Sequence, residues 1–120
     1  MNFASDNVTG AAPEILAAIK TANADALMPY GNDESTRRVE NKIREIFETD
    51  ADVFLVATGS AANSLALAVL TPPYGAVVCH CESHVNEDEC GAPEFFTSGA
   101  KLIVLKGDGA RIDAANLDHV

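Results

Sequence analysis

The chain has 120 residues, 48% of them hydrophobic and 22% charged, which is the composition of one modest globular domain and not of a disordered segment. Its formal net charge of -10 argues against nucleic acid or an anionic membrane surface as a partner. No apolar run reaches the length of a membrane span, the N-terminus lacks a secretory signal, and three cysteines make no disulfide framework, which together predict a cytoplasmic protein.

Helical patterns dominate the first part of the chain. Residues 1–12 are predicted to form an irregular arm, and Pro13 suits the first turn of a helix. A second helix follows a polar loop, and either Asp33 or Ser35 can cap it. The apolar residues of the two helices recur at helical spacing: Ile15, Leu16 and Ile19 in the first, and Val39, Ile43, Ile46 and Phe47 in the second.

Strands and helices alternate in the rest of the chain. We predict strands at 53–57, 76–80 and 101–105, a helix at about 60–70, a short irregular or helical piece at 84–92, and a final helix capped by Asp113. Strands that alternate with helices imply crossover connections and a mostly parallel sheet, so the predicted fold class is α/β.

This arrangement is too small to be self-contained. The helix at 60–70 is apolar on nearly every side and must be covered by other elements. Three short parallel strands are few for a sheet that is buried on both faces. We therefore interpret residues 13–120 as an incomplete α/β domain, and the chain as the N-terminal part of a larger protein.

The segment VFLVATGSAAN at residues 53–63 leads an apolar run into a Gly-containing turn and then a helix N-terminus. The first N–H groups of a helix have no internal partners and carry the positive end of its dipole, so phosphate is the most natural ligand. Gly59 allows close approach of the backbone, and Ser60 adds a hydroxyl donor. The alternative is an ordinary turn capped by Ser60. The spacing matches neither the Walker loop nor the dinucleotide-binding fingerprint, so nucleotide binding is not indicated.

His84 follows the second predicted strand, and ligands on open parallel sheets collect at the carboxyl ends of strands. An imidazole there can stack on a flat ring, transfer a proton, or cap the following turn. The acidic run at 87–89 is interpreted as a solvated helical face, with Glu89 as an exception if it turns inward beside His84.

Cysteine and histidine cluster around the same strand, at Cys79, His80, Cys81 and Cys90. Thiolate and imidazole suit zinc, but the spacing does not match the paired cysteines of structural zinc sites. We therefore predict no metal site, and we expect buried cysteines that behave as small hydrophobic residues.

Five segments together resemble the start of the low-specificity L-threonine aldolases, pyridoxal-phosphate enzymes of the aspartate-aminotransferase-like fold. They are residues 5–10 (SDNVTG), 30–33 (YGND), 58–63 (TGSAAN), 84–92 (HVNEDECGA) and 98–99 (SG). Their order and spacing extend over nearly the whole chain, which makes the match specific. The resemblance implies a lyase that cleaves threonine, allo-threonine and similar β-hydroxy-α-amino acids into glycine and an aldehyde, with pyridoxal 5'-phosphate as cofactor.

The resemblance also implies roles for single residues. Gly59, Ser60 and Ala61 would hold the cofactor phosphate, although the family commonly has threonine where Ser60 stands. His84 would stack on the pyridine ring and act near the substrate hydroxyl. Ser5 would bind the substrate carboxylate.

Tyr30 would reach toward an active site in a partner subunit, which implies a homodimer or homotetramer. The family's Schiff-base lysine lies further along than Val120, and none of the four lysines of this chain occupies a desolvated setting that would lower an amine pKa. We therefore expect the 120-residue chain alone to be inactive.

Two alternatives stay open. One is a different pyridoxal-phosphate lyase or aminotransferase of the same fold, which would not release glycine from threonine. The other is a non-catalytic fragment that binds phosphate through the Gly59 turn.

Overall fold

The computed structural model of the protein describes residue 4, residues 8–118 and residue 120. Its backbone clusters into two units, Met1–Val53 and Phe54–Val120. No helix among the described residues is long and apolar enough to cross a membrane.

In the first unit, helix α1 spans Pro13–Ala22, as the proline signal predicts. Pro13 lies in the first turn, where a missing N–H is harmless because the first amides of a helix have no internal partners. The predicted apolar residues Ile15, Leu16 and Ile19 are each more than half exposed. The apolar face of α1 therefore forms without being covered by the described residues.

Helix α2 spans Glu34–Phe47, and Asp33 is its N-cap. The Asp33 carboxylate accepts hydrogen bonds from the Thr36 amide at 2.9 Å and the Thr36 hydroxyl at 2.7 Å, so the first of the two predicted caps is correct. The hydroxyl and then the amide lower the pKa of Asp33, because both bonds favour the charged carboxylate. The helix ends where Glu48 adopts a left-handed backbone with φ 51°.

The second unit alternates helices and strands. In chain order its α-helices and strands are helix α3 (Gly59–Leu70), strand β1 (Ala76–His80), helix α4 (His84–Glu87), helix α5 (Ala92–Phe96), strand β2 (Lys101–Leu105) and helix α6 (Ala114–Leu117). Both strands coincide with predicted ones. The piece predicted at 84–92 contains helix α4, and helix α5 begins at its last residue. Asp113 caps α6, as predicted, by accepting a hydrogen bond from the Ala115 amide at 3.1 Å.

Strands β1 and β2 pair in parallel, with Ala76 opposite Lys101 and His80 opposite Leu105. The pairing continues past the strand end, because the Cys81 amide donates to the Leu105 carbonyl at 2.8 Å. This confirms the predicted parallel sheet and the α/β class. Helices α3 and α5 pack together. The buried residues among those described lie on or beside these elements: Ser64, Cys79, His80, Glu89, Pro93, Thr97 and Ala100.

The strand predicted at 53–57 does not form, and this prediction was wrong. The described part of the chain has one sheet, of two strands, and residues 53–57 pair with neither. Their apolar character was the signal for a buried strand, yet Phe54 is 82% and Leu55 67% exposed. A strand exists only where a neighbour accepts its ladder of hydrogen bonds, and no described residue supplies that neighbour.

Helix α3 is apolar on nearly every side, and only Ser64 within it is fully buried. Leu65 is 48%, Val69 86% and Leu70 78% exposed. The expectation that this helix lacks cover within the described residues is therefore confirmed. A patch of this kind is unusual on a stable soluble domain.

Candidate functional site

Thr58 caps the start of helix α3. Its backbone is extended, with φ -144° and ψ 158°. Its hydroxyl accepts a hydrogen bond from the Ala61 amide at 3.1 Å, and its carbonyl accepts one from the Ala62 amide at 3.2 Å. The alternative of a turn capped by Ser60 is therefore wrong, since Ser60 already lies inside the first helical turn.

The amides of Gly59 and Ser60 donate to no acceptor among the described residues. A Cβ atom built on Gly59 would meet no atom within 4 Å, so the space around this residue is open. Free amides at the positive end of a helix dipole favour an anion. The Ala61 amide differs, because the Thr58 hydroxyl already engages it.

His84 is the first residue of α4 and follows the end of β1. Its Nδ1 atom lies 2.8 Å from Oε1 of Glu89. The His84 side chain is 61% exposed, and its Nε2 atom has no hydrogen-bond partner within the described residues. One nitrogen of the imidazole is thus anchored, while the other nitrogen is available for a ligand.

Glu89 turns inward, which confirms the exception considered for the acidic run. Its side chain has no solvent exposure, and its Oε1 atom also accepts a hydrogen bond from Nδ2 of Asn63 at 2.6 Å. Burial raises the pKa of Glu89, but the hydrogen bonds from Asn63 and His84, together with the charge of a protonated His84, leave the pKa below its ordinary value. Its Oε2 atom is buried and has no partner among the described residues.

These contacts form an Asn63–Glu89–His84 chain. Asn63 lies on α3 just after the first turn that carries the free amides of Gly59 and Ser60. The chain therefore ties the start of α3 to the imidazole that follows β1. The role of Asn63 was missed by sequence reasoning, although a polar residue in an otherwise apolar helix was a usable signal.

A second histidine joins the ends of the two strands. The Nδ1 atom of His80 accepts a hydrogen bond from the Glu82 amide at 3.0 Å, so its Nε2 atom carries the hydrogen that is donated to the Gly107 carbonyl at 3.0 Å. His80 is buried. It therefore connects the segment after β1 to the segment after β2 and has no free nitrogen for a ligand.

The cysteines near this strand are all free thiols. Cys79 is buried, as expected for a small hydrophobic residue, whereas Cys81 is half-buried and Cys90 is exposed. Within the described ranges, no group of three or more histidine, cysteine, aspartate or glutamate side chains is arranged to hold a metal ion.

Two of the proposed substrate residues lie elsewhere in the chain. Ser5 falls outside the described residues. Tyr30 belongs to the unit Met1–Val53, where its side chain is 97% exposed and its backbone is left-handed with φ 61°. Non-glycine residues are uncommon in this conformation and often mark functional positions. No described residue of the unit covers the Tyr30 ring.

The α/β fold, the helix start with free amides and the anchored imidazole are the features of an α/β domain that binds an anionic ligand. The sequence model of the β-eliminating lyase family matches residues 2–120. The chain belongs to this family.

Two curated relatives of the chain are named as threonine aldolases. The chain is 45% identical over 118 residues to a low specificity L-threonine aldolase of Pseudomonas sp. (strain NCIMB 10558), and equally to one of Pseudomonas aeruginosa. Each alignment covers 98% of this chain and 34% of the relative, so the chain spans about a third of their length. A solved structure of Leishmania major threonine aldolase matches 93% of this chain with a TM-score of 0.83 and 26% identity, and this chain covers 32% of it. The expected aminotransferase-like fold is therefore confirmed.

Enzymes of this family depend on pyridoxal 5'-phosphate, the cofactor that the resemblance implies. The residues present fit the phosphate end of that cofactor. Two amides at a helix start are free, the space at Gly59 is open, and an exposed imidazole is anchored through Glu89 and Asn63 to the same helix. A local dipole of this kind can hold a phosphate even though the chain as a whole is acidic.

Proposed function

We propose that the complete protein cleaves threonine, allo-threonine and similar β-hydroxy-α-amino acids into glycine and an aldehyde. The observation that carries this proposal is the Asn63–Glu89–His84 chain beside the free amides of α3. The identity of 45% to proteins named low specificity L-threonine aldolase supports the choice of reaction. Because the chain covers a third of those relatives, the activity is assigned to the complete protein, and the 120-residue chain alone is expected to be inactive.

Gly59, Ser60 and Ala61 are the residues proposed to hold the cofactor phosphate. The amides of Gly59 and Ser60 are free to donate, and the Ser60 hydroxyl adds a third donor. Ala61 would contribute by sharing its amide hydrogen between the phosphate and the Thr58 hydroxyl, to which it now donates. When bound, the cofactor supplies a ring that accepts the electron pair released as the Cα–Cβ bond breaks.

His84 is the proposed catalytic residue. Its imidazole is exposed enough to stack on the cofactor ring, and its free Nε2 atom can accept a hydrogen bond from the β-hydroxyl of the substrate. Cleavage requires that hydroxyl to lose its proton, so an imidazole that orients the O–H bond favours the step. Ser5 is proposed to bind the substrate carboxylate, on the resemblance alone.

We also propose that the complete protein is a cytoplasmic homodimer or homotetramer. The support is the exposed Tyr30 ring, for which we propose a role in a neighbouring subunit's active site. Residues 13–120 would then be part of one larger cofactor-binding domain, with the exposed face of α3 covered by other elements. The acidic net charge disfavours nucleic acid and anionic membrane surfaces as partners.

The test is an assay of the complete protein with pyridoxal 5'-phosphate and either L-threonine or L-allo-threonine. Equal amounts of glycine and acetaldehyde are expected. A keto acid with ammonia, or amino transfer to an added keto acid, would replace this proposal by another lyase or an aminotransferase of the same fold. Binding of the cofactor without any product would favour the non-catalytic alternative.

A further inference from the structure

We infer that Glu89 is a positioning residue that holds His84 in the tautomer with hydrogen on Nδ1, which leaves the Nε2 lone pair available to the substrate. This inference rests on the function proposed above, because it specifies which nitrogen of the His84 imidazole would face the substrate. It concerns residues whose contacts lie within one unit, Phe54–Val120.

The geometry fixes the tautomer. A carboxylate oxygen only accepts hydrogen bonds, and Oε1 of Glu89 lies 2.8 Å from Nδ1 of His84, so Nδ1 must carry the hydrogen. In a neutral imidazole the other nitrogen is then an acceptor. Without such a partner an exposed imidazole would exchange freely between its two tautomers, and only the tautomer with hydrogen on Nδ1 could accept the hydrogen bond of a substrate hydroxyl at Nε2.

The carboxylate is itself held in place. Asn63 donates to the same Oε1 atom at 2.6 Å, and the Glu89 side chain is fully buried. The pKa of Glu89 lies below its ordinary value because the bonds from Asn63 and His84 outweigh the effect of burial, so the group is an ionised acceptor at neutral pH.

The burial of one oxygen atom of Glu89 carries a cost in fold stability. Its Oε2 atom is buried without a partner among the described residues, and an unsatisfied charged oxygen destabilises a fold. Surface carboxylates such as Asp88 next to it remain exposed. A buried carboxylate that accepts two hydrogen bonds on one oxygen and none on the other is better explained by the orientation of His84 than by its own contribution to packing.

The direct test measures the tautomer in the parent protein. Histidines of the complete protein are labelled with ¹⁵N, and the signals of His84 are identified by their loss in His84→Phe. In the protein without substrate, at a pH where His84 is neutral, we expect Nδ1 to carry the hydrogen and Nε2 to give the signal of an unprotonated nitrogen. The opposite assignment, or a rapid average of both tautomers, would overturn the inference.

Glu89→Gln tests the consequence for catalysis, with Asp88→Asn as a matched control. Both changes remove one negative charge from the same segment, but Asp88 is exposed and takes no part in the Asn63–Glu89–His84 chain. We expect Glu89→Gln to mix or reverse the His84 tautomers, because an amide can donate as well as accept. Turnover per bound cofactor should fall by about 10- to 100-fold, by analogy with the loss seen when the hydrogen-bond partner of a metal-bound histidine is removed.

Asp88→Asn should leave both the tautomer and the turnover unchanged. If Glu89→Gln keeps the parental tautomer and the parental turnover, Glu89 has no positioning role. If the variant does not fold, the measurement on the parent protein still decides the tautomer. Absence of threonine cleavage in the parent, with Nδ1 still protonated, would refute the proposed reaction and leave the positioning role of Glu89 intact.

Discussion

The Nδ1 atom of His84 lies 2.8 Å from Oε1 of Glu89, although the His84 side chain is 61% exposed and the Glu89 side chain is fully buried. An exposed imidazole usually samples several rotamers, and each hydrogen bond to a charged partner reduces that freedom. The pairing of an exposed imidazole with a buried carboxylate gives the ring a defined orientation, while its Nε2 atom stays open to a ligand. A histidine that stacks on a ring and accepts a hydrogen bond or a proton requires such a fixed orientation.

His84→Phe separates ring stacking from polar chemistry. A phenyl ring retains much of the stacking surface but has no nitrogen, so cofactor binding in the complete protein should weaken little. Threonine cleavage per bound cofactor should fall by about 10²–10⁴-fold, as for a lost acid–base group. The measurement is initial rate divided by bound cofactor, and His84→Ala serves as the comparison because it should impair both binding and rate. An unchanged rate in His84→Phe would remove this residue from the mechanism.

Local signals in the sequence were sufficient for most of the secondary structure. Pro13, Asp33 and Asp113 each act at a helix start through their own backbone or side chain, so their effect can be recognised from neighbouring letters. The strand predicted at 53–57 was wrong because an apolar run indicates burial, whereas strand formation depends on a distant partner strand. No described residue provides that partner.

The candidate site was predictable only in part. The free amides of Gly59 and Ser60 follow from the position of a turn before a helix, which is a local property. The contact between Asn63 and Glu89 joins residues 26 positions apart, and the hydrogen bond from His80 to Gly107 joins residues 27 positions apart. Contacts at such separations depend on how α3, β1 and β2 pack, which periodicity does not specify.

Acid should weaken the fold through Glu89. Its pKa is lower in the folded protein than in the unfolded chain, so its ionised form stabilises the fold above the unfolded value of about 4.3. That contribution is lost as the pH falls through the lower, folded pKa. We therefore expect the melting temperature of the complete protein to drop more steeply below about pH 4 than that of Glu89→Gln. Parallel melting curves for the two proteins across this range would contradict the assignment.

Gly59→Ala should separate folding from cofactor binding. The added Cβ meets no protein atom within 4 Å, and alanine favours a helix, so the melting temperature without cofactor should not fall. If the phosphate lies against this amide, the methyl group obstructs its approach. One hydrogen bond to a charged group is worth about 1.5–3 kcal/mol, so the Kd for pyridoxal 5'-phosphate should rise by about 10- to 100-fold. An unchanged Kd, measured by absorbance or fluorescence titration, would place the phosphate elsewhere.

Gly107→Ala should destabilise the protein for a different reason. Its backbone is extended, with φ -176°, so conformation is not the obstacle. An added Cβ would lie 1.9 Å from the Arg111 carbonyl oxygen, and the backbone on one side must move. Overpacking of this kind costs about 1–3 kcal/mol, and the movement would also disturb the hydrogen bond from His80. Gly10→Ala is the matched control, because its Cβ would meet nothing within 4 Å. Equal thermal stability of the two variants would show that the Gly107 loop relaxes freely.

The proposed role of Tyr30 in a neighbouring subunit can be tested with mixed oligomers. Tyr30→Phe and His84→Phe are each expected to reduce threonine cleavage when every subunit carries the change. If one subunit supplies Tyr30 to the site that contains its partner's His84, an oligomer with one variant of each kind has one site with both native side chains and one with neither. Co-expression with two different affinity tags, followed by purification on both, yields such hybrids. We expect them to recover a measurable share of the parental activity. Hybrids as inactive as the single variants would mean that each subunit uses its own Tyr30, or that this exposed tyrosine serves another purpose.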